Sequence, residues 1–194
     1  PWSRPATVSS PSHLGPPVRR GRGPAAGAAG GFRFGAGGGT ADLGVVTVGT
    51  GLGGGVVTNG SLLRGAFGIA AELGHMRVVP GGIRCGCGNR GCWEQYASGT
   101  ALVREARELV MSESPHAARL SELCAGDPEG LTGPDVTRTA AEGDPAAVEL
   151  LSDLGTWIGE GAASVAAIRD PELVGLGGGV AGAGGLVGGP AGAR

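Results

Sequence analysis

Glu72-Leu73-Gly74-His75, followed after nine residues by Cys85-Gly86-Cys87-Gly88-Asn89-Arg90-Gly91-Cys92-Trp93-Glu94, is the stretch around which this 194-residue chain is organised. Four soft metal ligands, His75, Cys85, Cys87 and Cys92, fall within it, and the carboxylates Glu72 and Glu94 bracket them. Thiolates and an imidazole suit Zn²⁺, which takes four such ligands in a closed tetrahedral site. Gly86, Gly88 and Gly91 give the backbone the freedom to bring three sulfurs together. The Cys-x-Cys step is tighter than the spacing of ordinary fingers and ribbons. The same cysteines can also be read as unpaired core residues or as a disulfide set. Three cysteines and a histidine among glycines make a poor core, which favours the metal. A site with four protein ligands has no vacant position and is structural. Function then falls to what the metal holds in place, with Glu72 and Glu94 as the first candidates.

Upstream, Leu43-Gly44-Val45-Val46-Thr47-Val48 reads as a buried strand. It runs into Gly49-Thr50-Gly51-Leu52-Gly53-Gly54-Gly55, which formally contains GxGxxG. A dinucleotide fingerprint needs a helix next. Val56-Val57-Thr58, Asn59-Gly60 and Ser61-Leu62-Leu63 follow instead, and Asn-Gly between apolar runs is a hairpin signal. The context is strand, glycine turn, strand, turn, strand, and a Rossmann domain is rejected. Such a turn binds phosphate through backbone N–H groups and the Thr50 hydroxyl, or is a plain glycine-rich hairpin; spacing alone leaves both open. Met76–Val79 reads as a further short strand.

Downstream, a helix is predicted from Ser98 or Thr100 to Met111, with Leu102, Ala106, Leu109 and Val110 on its apolar face. Short helices are predicted near Ala117–Cys124 and Pro134–Glu142, the latter capped by Thr132. The longest is predicted over Pro145–Ile168, capped by Asp144, with a core stripe of Val148, Leu151, Leu154, Ile158, Ala162, Val165 and Ile168. Leu173–Leu176 reads as a short buried strand ahead of Gly177-Gly178-Gly179, a loop where a nucleotide can lie against bare backbone.

A net charge of −2 gives no sign of a nucleic-acid surface, and no apolar run is long enough to span a bilayer. No signal peptide is visible in the first residues. The 43 glycines mark many turns and some low-complexity sequence. Residues 1–31 are rich in Pro, Gly, Ala, Ser and Arg without periodicity, and are expected to be a disordered segment ahead of a domain at 32–194. With three cysteines assigned to metal, Cys124 is left as a lone buried thiol, a pattern fitting a reducing cytoplasm.

Taken together, these motifs resemble the ROK family (repressors, open reading frames, kinases), most closely its bacterial glucokinases. Three motifs carry the resemblance: Gly49-Thr50-Gly51-Leu52-Gly53-Gly54, similar to the family's second phosphate-binding turn; the Glu72–His75 and Cys85–Glu94 signature; and Gly177-Gly178-Gly179, similar to the adenosine-side loop of the actin-like ATPase fold. The resemblance covers about residues 32–187. It implies an α/β fold, an actin-like ATPase lobe of ribonuclease-H-like topology with a structural zinc site, of which this chain supplies mainly the C-terminal half. It also implies ATP-dependent phosphorylation of glucose or a related hexose at the 6-hydroxyl, with Mg²⁺. Glu72, His75 and Glu94 would hydrogen-bond the sugar, His75 while also binding zinc. Homo-dimers or tetramers are implied, without a nucleic-acid or membrane partner.

The departures matter as much. The family's first phosphate motif, Asp-x-Gly-x-Thr, and the Asn-Asp-x-Asn segment carrying the catalytic base are absent. Counting back from Phe32-Arg33-Phe34-Gly35, that segment falls at Arg22-Gly23-Pro24-Ala25, so Gly23 takes the base position and no catalytic side chain is assigned. The abrupt change of composition near Phe32, and an end before the family's last helices, lead us to expect a truncated or frame-shifted glucokinase gene of weak or no activity. The competing readings are a sugar-responsive repressor, whose helix-turn-helix is not readable in residues 1–31, and a non-catalytic sugar-binding module.

Overall fold

The computed structural model describes residues 40–125, 127–180, 184, 185, 187 and 189. The expected disordered segment 1–31 and the Gly23 assignment lie outside them. The β-branched run forms β1 (Leu43–Val48), antiparallel to β2 (Leu52–Thr58), with Val48 opposite Leu52 and Leu43 opposite Val57. Asn59 and Gly60 both take positive φ, 49° and 70°, as a two-residue hairpin turn requires, and lead into the short β3 (Ser61–Leu62). β4 (Leu173–Gly177) lies parallel to β1, giving the order β3-β2-β1-β4. A parallel neighbour needs a long crossover. Here it carries α1 (Gly99–Met111), α2 (Ala118–Leu123), α3 (Gly133–Ala141) and α4 (Pro145–Arg169).

Local chemistry places the helix starts. The Ser98 hydroxyl accepts the Ala101 N–H at 3.1 Å, and the Asp144 carboxylate accepts the Ala147 N–H at 2.9 Å. At α3 the Thr132 N–H donates to the Asp135 carboxylate at 3.0 Å, and the Thr132 hydroxyl donates to the same carboxylate. These bonds, the Thr132 hydroxyl first, hold the Asp135 carboxyl below its ordinary pKa. A depressed folded-state value means the contribution is full above about pH 4, the unfolded aspartate value, and is lost as pH falls through the folded value. Asp135→Ala should therefore cost about 1 kcal/mol at pH 7, shrinking toward zero in acid, as urea melts of both proteins at pH 7 and pH 3 would measure.

The core runs from the sheet (Val46, Val48, Leu52) through Trp93 to Leu102, Leu120, Val136, Leu151 and Ile158 on the helices. Five expectations need correction. Gly53 and Gly54 belong to β2, so the glycine turn is only Gly49–Gly51. Met76–Val79 is not a strand: the N–H groups of Val78 and Val79 both bond the Gly91 carbonyl, at 2.9 and 3.2 Å, which no ladder does, and only Arg77 forms a bridge, to Cys92. β4 is half-buried rather than buried, with Leu176 exposed, and Ile168 at the end of the α4 stripe is 74 % exposed. Cys124 is half-buried, its thiol donating to the Leu120 carbonyl at 3.3 Å.

Candidate functional site

A short helical turn, Leu73–His75, carries the histidine. Leu73 packs where Gly54 has no side chain; a Cβ there would lie 2.5 Å from the leucine. Gly74 passes the Leu52 carbonyl so closely that a Cβ would come within 2.1 Å of it. The turn is thereby pressed against β2. The cysteine loop closes through Cys85 N–H to the Asn89 carbonyl at 2.9 Å and Gly88 N–H to the Cys85 carbonyl at 3.0 Å. Gly91 takes φ +76°, and any Cβ there would sit 1.6 Å from the Val79 carbonyl oxygen.

This folding brings all four predicted ligands together, their donor atoms within 4.8 Å of one another. Cys87 Sγ and Cys92 Sγ are 3.6 Å apart, and Cys85 Sγ lies 3.7 Å from His75 Nδ1. A tetrahedron of Zn–S bonds of about 2.3 Å puts its sulfurs about 3.8 Å apart, so the donor set fits that metal in number, type and spacing. Burial pushes the Cys85 thiol up to about 12 and raises Cys92 as well. The backbone N–H of Asn89 lowers Cys87. Two buried thiols with raised pKa are groups whose charged form a divalent cation would compensate.

Glu94 connects this cluster to the sheet. Its Oε1 accepts from Cys85 Sγ at 3.0 Å and lies 3.6 Å from His75 Nδ1. Its Oε2 would be 3.2 Å from a Cβ at Gly51. The structure thus joins His75, Glu94 and the glycine turn at one place. Glu72 stands half-buried immediately before the helical turn, its carbonyl accepting the His75 N–H at 3.0 Å.

The second glycine stretch comes to the same end of the sheet, because β1 and β4 are parallel and end side by side, Thr47 opposite Gly177. Gly178, at φ +100°, runs past the Val48 carbonyl, where a Cβ would be only 2.3 Å away. Between the two glycine segments opens a cavity of about 650 Å³, lined by Gly49, Thr50, Leu102, Val103, Pro134 and Gly179 among others. Crevices beyond the carboxyl ends of parallel strands are where ligands of open α/β sheets bind. Val103 carries no sequence signal for this role, and Pro134 and Leu102 read only as a helix start and as core. Their convergence depends on how α1 and α3 pack.

The chain matches the ROK family profile over residues 11–190. It is 45% identical over 156 residues to the glucokinase of Streptomyces coelicolor, covering 80% of this chain and 49% of that protein. It is 41% identical over 157 residues to the glucokinase of Thermotoga maritima, again covering 49% of it. The crystal structure of a ROK family glucokinase from Streptomyces griseus in complex with glucose and AMPPNP superposes with a TM-score of 0.81 at 48% identity, covering 87% of this chain and 54% of that one. A ROK family transcriptional regulator, a homolog of the E. coli MLC protein, matches with a TM-score of 0.72 at 28% identity, covering 88% of this chain and 41% of the regulator. The chain spans about half the length of the curated relatives it matches. No helix among the described residues is long and apolar enough to cross a membrane.

Proposed function

This chain belongs to the ROK family, and from that membership we propose that it is the hexose- and nucleotide-presenting lobe of a glucokinase-type sugar kinase. The proposed reaction moves the γ-phosphoryl of ATP, with Mg²⁺, to the 6-hydroxyl of glucose. The observation that carries the reading is that Glu94, paired with His75, reaches Gly51 of the turn whose Gly49 and Thr50 line the cavity. Carboxylates are acceptor-only when ionised and suit the hydroxyl donors of a sugar, so Glu72, Glu94 and His75 hold the hexose. Gly49, Thr50 and Gly51 face the phosphates, Gly53 and Gly54 continue the phosphate-side segment into β2, and Gly177, Gly178 and Gly179 border the adenosine. Phosphoryl transfer depends chiefly on positioning and electrostatics, and these residues supply both.

His75, Cys85, Cys87 and Cys92 would hold a structural zinc, whose charge would fix the loop that carries Glu94. Free cysteines and an ATP-dependent reaction support a cytoplasmic location. The base position falls at Gly23, which has no side chain to accept the hydroxyl proton. Substrate binding without turnover is therefore expected.

Calorimetric titration with glucose and with Mg²⁺·AMPPNP, beside a coupled assay for glucose 6-phosphate, tests this. Binding of both ligands with little or no product is the expected result. Robust turnover would refute the assignment of Gly23, and absence of binding to either ligand would refute the kinase reading. The likeness to a transcriptional regulator supports a second reading, a sugar-sensing repressor lobe, which sequence-specific DNA retention would favour.

A further inference from the structure

We propose that Thr100 is a positioning residue that clamps the Gly49–Gly51 turn in its phosphate-binding form, an inference that rests on the reading of that turn as the nucleotide's phosphate site. The start of α1 does not face a ligand with open donors. Its N–H groups are already used: Gly99 N–H bonds the Gly49 carbonyl at 2.7 Å, Thr100 N–H the Thr50 carbonyl at 3.2 Å, and Ala101 N–H the Ser98 hydroxyl at 3.1 Å. A helix N-terminus with its first donors so engaged is not the anion site that an open one would be.

The orientation of the turn follows from those bonds. A trans peptide directs its N–H opposite to its carbonyl. With the Gly49 and Thr50 carbonyls both held by α1, the N–H groups of Thr50 and Gly51 must point away from the helix, at two exposed residues. Two successive N–H groups facing one way make a concave anion site. Thr100 adds a second donor to the Thr50 carbonyl, its hydroxyl at 2.7 Å, closer than its own N–H. Gly99 makes the approach possible, since a Cβ there would stand 2.8 Å from the Gly49 oxygen. Gly99 admits the turn and Thr100, which also lines the cavity, fixes its peptide planes through its bonds to the Thr50 carbonyl.

The experiment compares Thr100→Val and Thr100→Ser with the unsubstituted chain in titrations with Mg²⁺·AMPPNP and with adenosine, melting temperatures being recorded for each. Loss of one hydroxyl-to-carbonyl bond is expected to weaken AMPPNP binding about fivefold in Thr100→Val. Adenosine binding should stay unchanged, and Thr100→Ser should restore the loss. A valine variant that binds AMPPNP as tightly as the parent overturns the proposal. So does one that loses AMPPNP and adenosine equally, which marks a merely structural role. An unsubstituted chain that binds neither ligand removes the phosphate reading of the turn itself, and the clamp falls with it.

Discussion

Gly161→Ala should lower the melting temperature by roughly 6–12 °C, the equivalent of about 3 kcal/mol for a domain of this size. In most helix interiors the same change stabilises by about 1 kcal/mol, because alanine is the better helix former. The sign reverses here because Gly161 of α4 lies flat against an indole. A Cβ would be 2.0 Å from Trp93 Cε2 and 2.3 Å from Cζ2. The indole has nowhere to go: Trp93 is 0 % exposed, and its Nε1–H donates to the Trp157 carbonyl at 2.7 Å. Trp93 also stands between Cys92 and Glu94, so any shift of the ring is passed to the Cys/His cluster and to the proposed sugar-binding carboxylate. Glucose affinity should fall together with stability. Differential scanning calorimetry of Gly161→Ala, of Trp93→Leu and of the double variant checks the cause. If the indole is the obstacle, the double variant is less damaged than the sum of the two changes. A melting temperature equal to the parent's would sink the packing argument.

Cys87→Ser should reduce zinc affinity by more than the roughly 10–100-fold caused by changes outside the ligand shell, and weaken glucose binding with it. Cys87 is the informative position. Cys85 and Cys92 are buried, and replacing either would mix the loss of a ligand with a buried polar group. Cys87 is half-buried, so its replacement removes one sulfur from the set and little packing. Without the proposed metal, the loop from Cys85 to Cys92 is held by backbone bonds, the two bridges Arg77–Cys92 and Arg84–Arg90, and a few side-chain bonds such as Arg90 to the Gly82 carbonyl and Cys85 to Glu94. Glu94, two residues on, then loses its fixed direction toward Gly51. Elemental analysis after dialysis should find about one zinc per parent chain, as a four-ligand site holds, and far less in the variant. Chelation of the parent should reproduce the loss of glucose binding, and added zinc should restore the parent alone. A parent protein isolated without metal, binding glucose as well as Cys87→Ser does, would end the proposal of a structural zinc.

The parts of this molecule legible in its sequence are those whose partners lie close along the chain. His75, Cys85, Cys87 and Cys92 announce themselves by residue type and spacing, and their donor atoms do converge. Asn59-Gly60 specifies its hairpin because both residues tolerate positive φ. Ser98, Thr132 and Asp144 mark helix starts because each serves N–H groups, or meets a carboxylate, three residues away. Where the reading went astray, a local pattern met a non-local competitor. Met76–Val79 has the composition of a strand, but the Gly91 carbonyl took its donors. Ile168 continues the apolar period of α4 beyond the point where the core reaches.

Spacing and turn chemistry alone thus determined which Cys and His side chains cluster, the strand–turn–strand frame of the glycine motif and the helix boundaries, since each is a short-range property of the backbone and its nearest side chains. Tertiary structure alone decided that Glu94 meets Gly51, that Gly161 makes room for Trp93, and that Thr100 reaches a carbonyl 50 residues upstream. It also opened a cavity between segments as distant as Gly49, Pro134 and Gly179. Such contacts are set by how close two packed surfaces can come, and that distance is a property of the folded whole that no window of sequence contains.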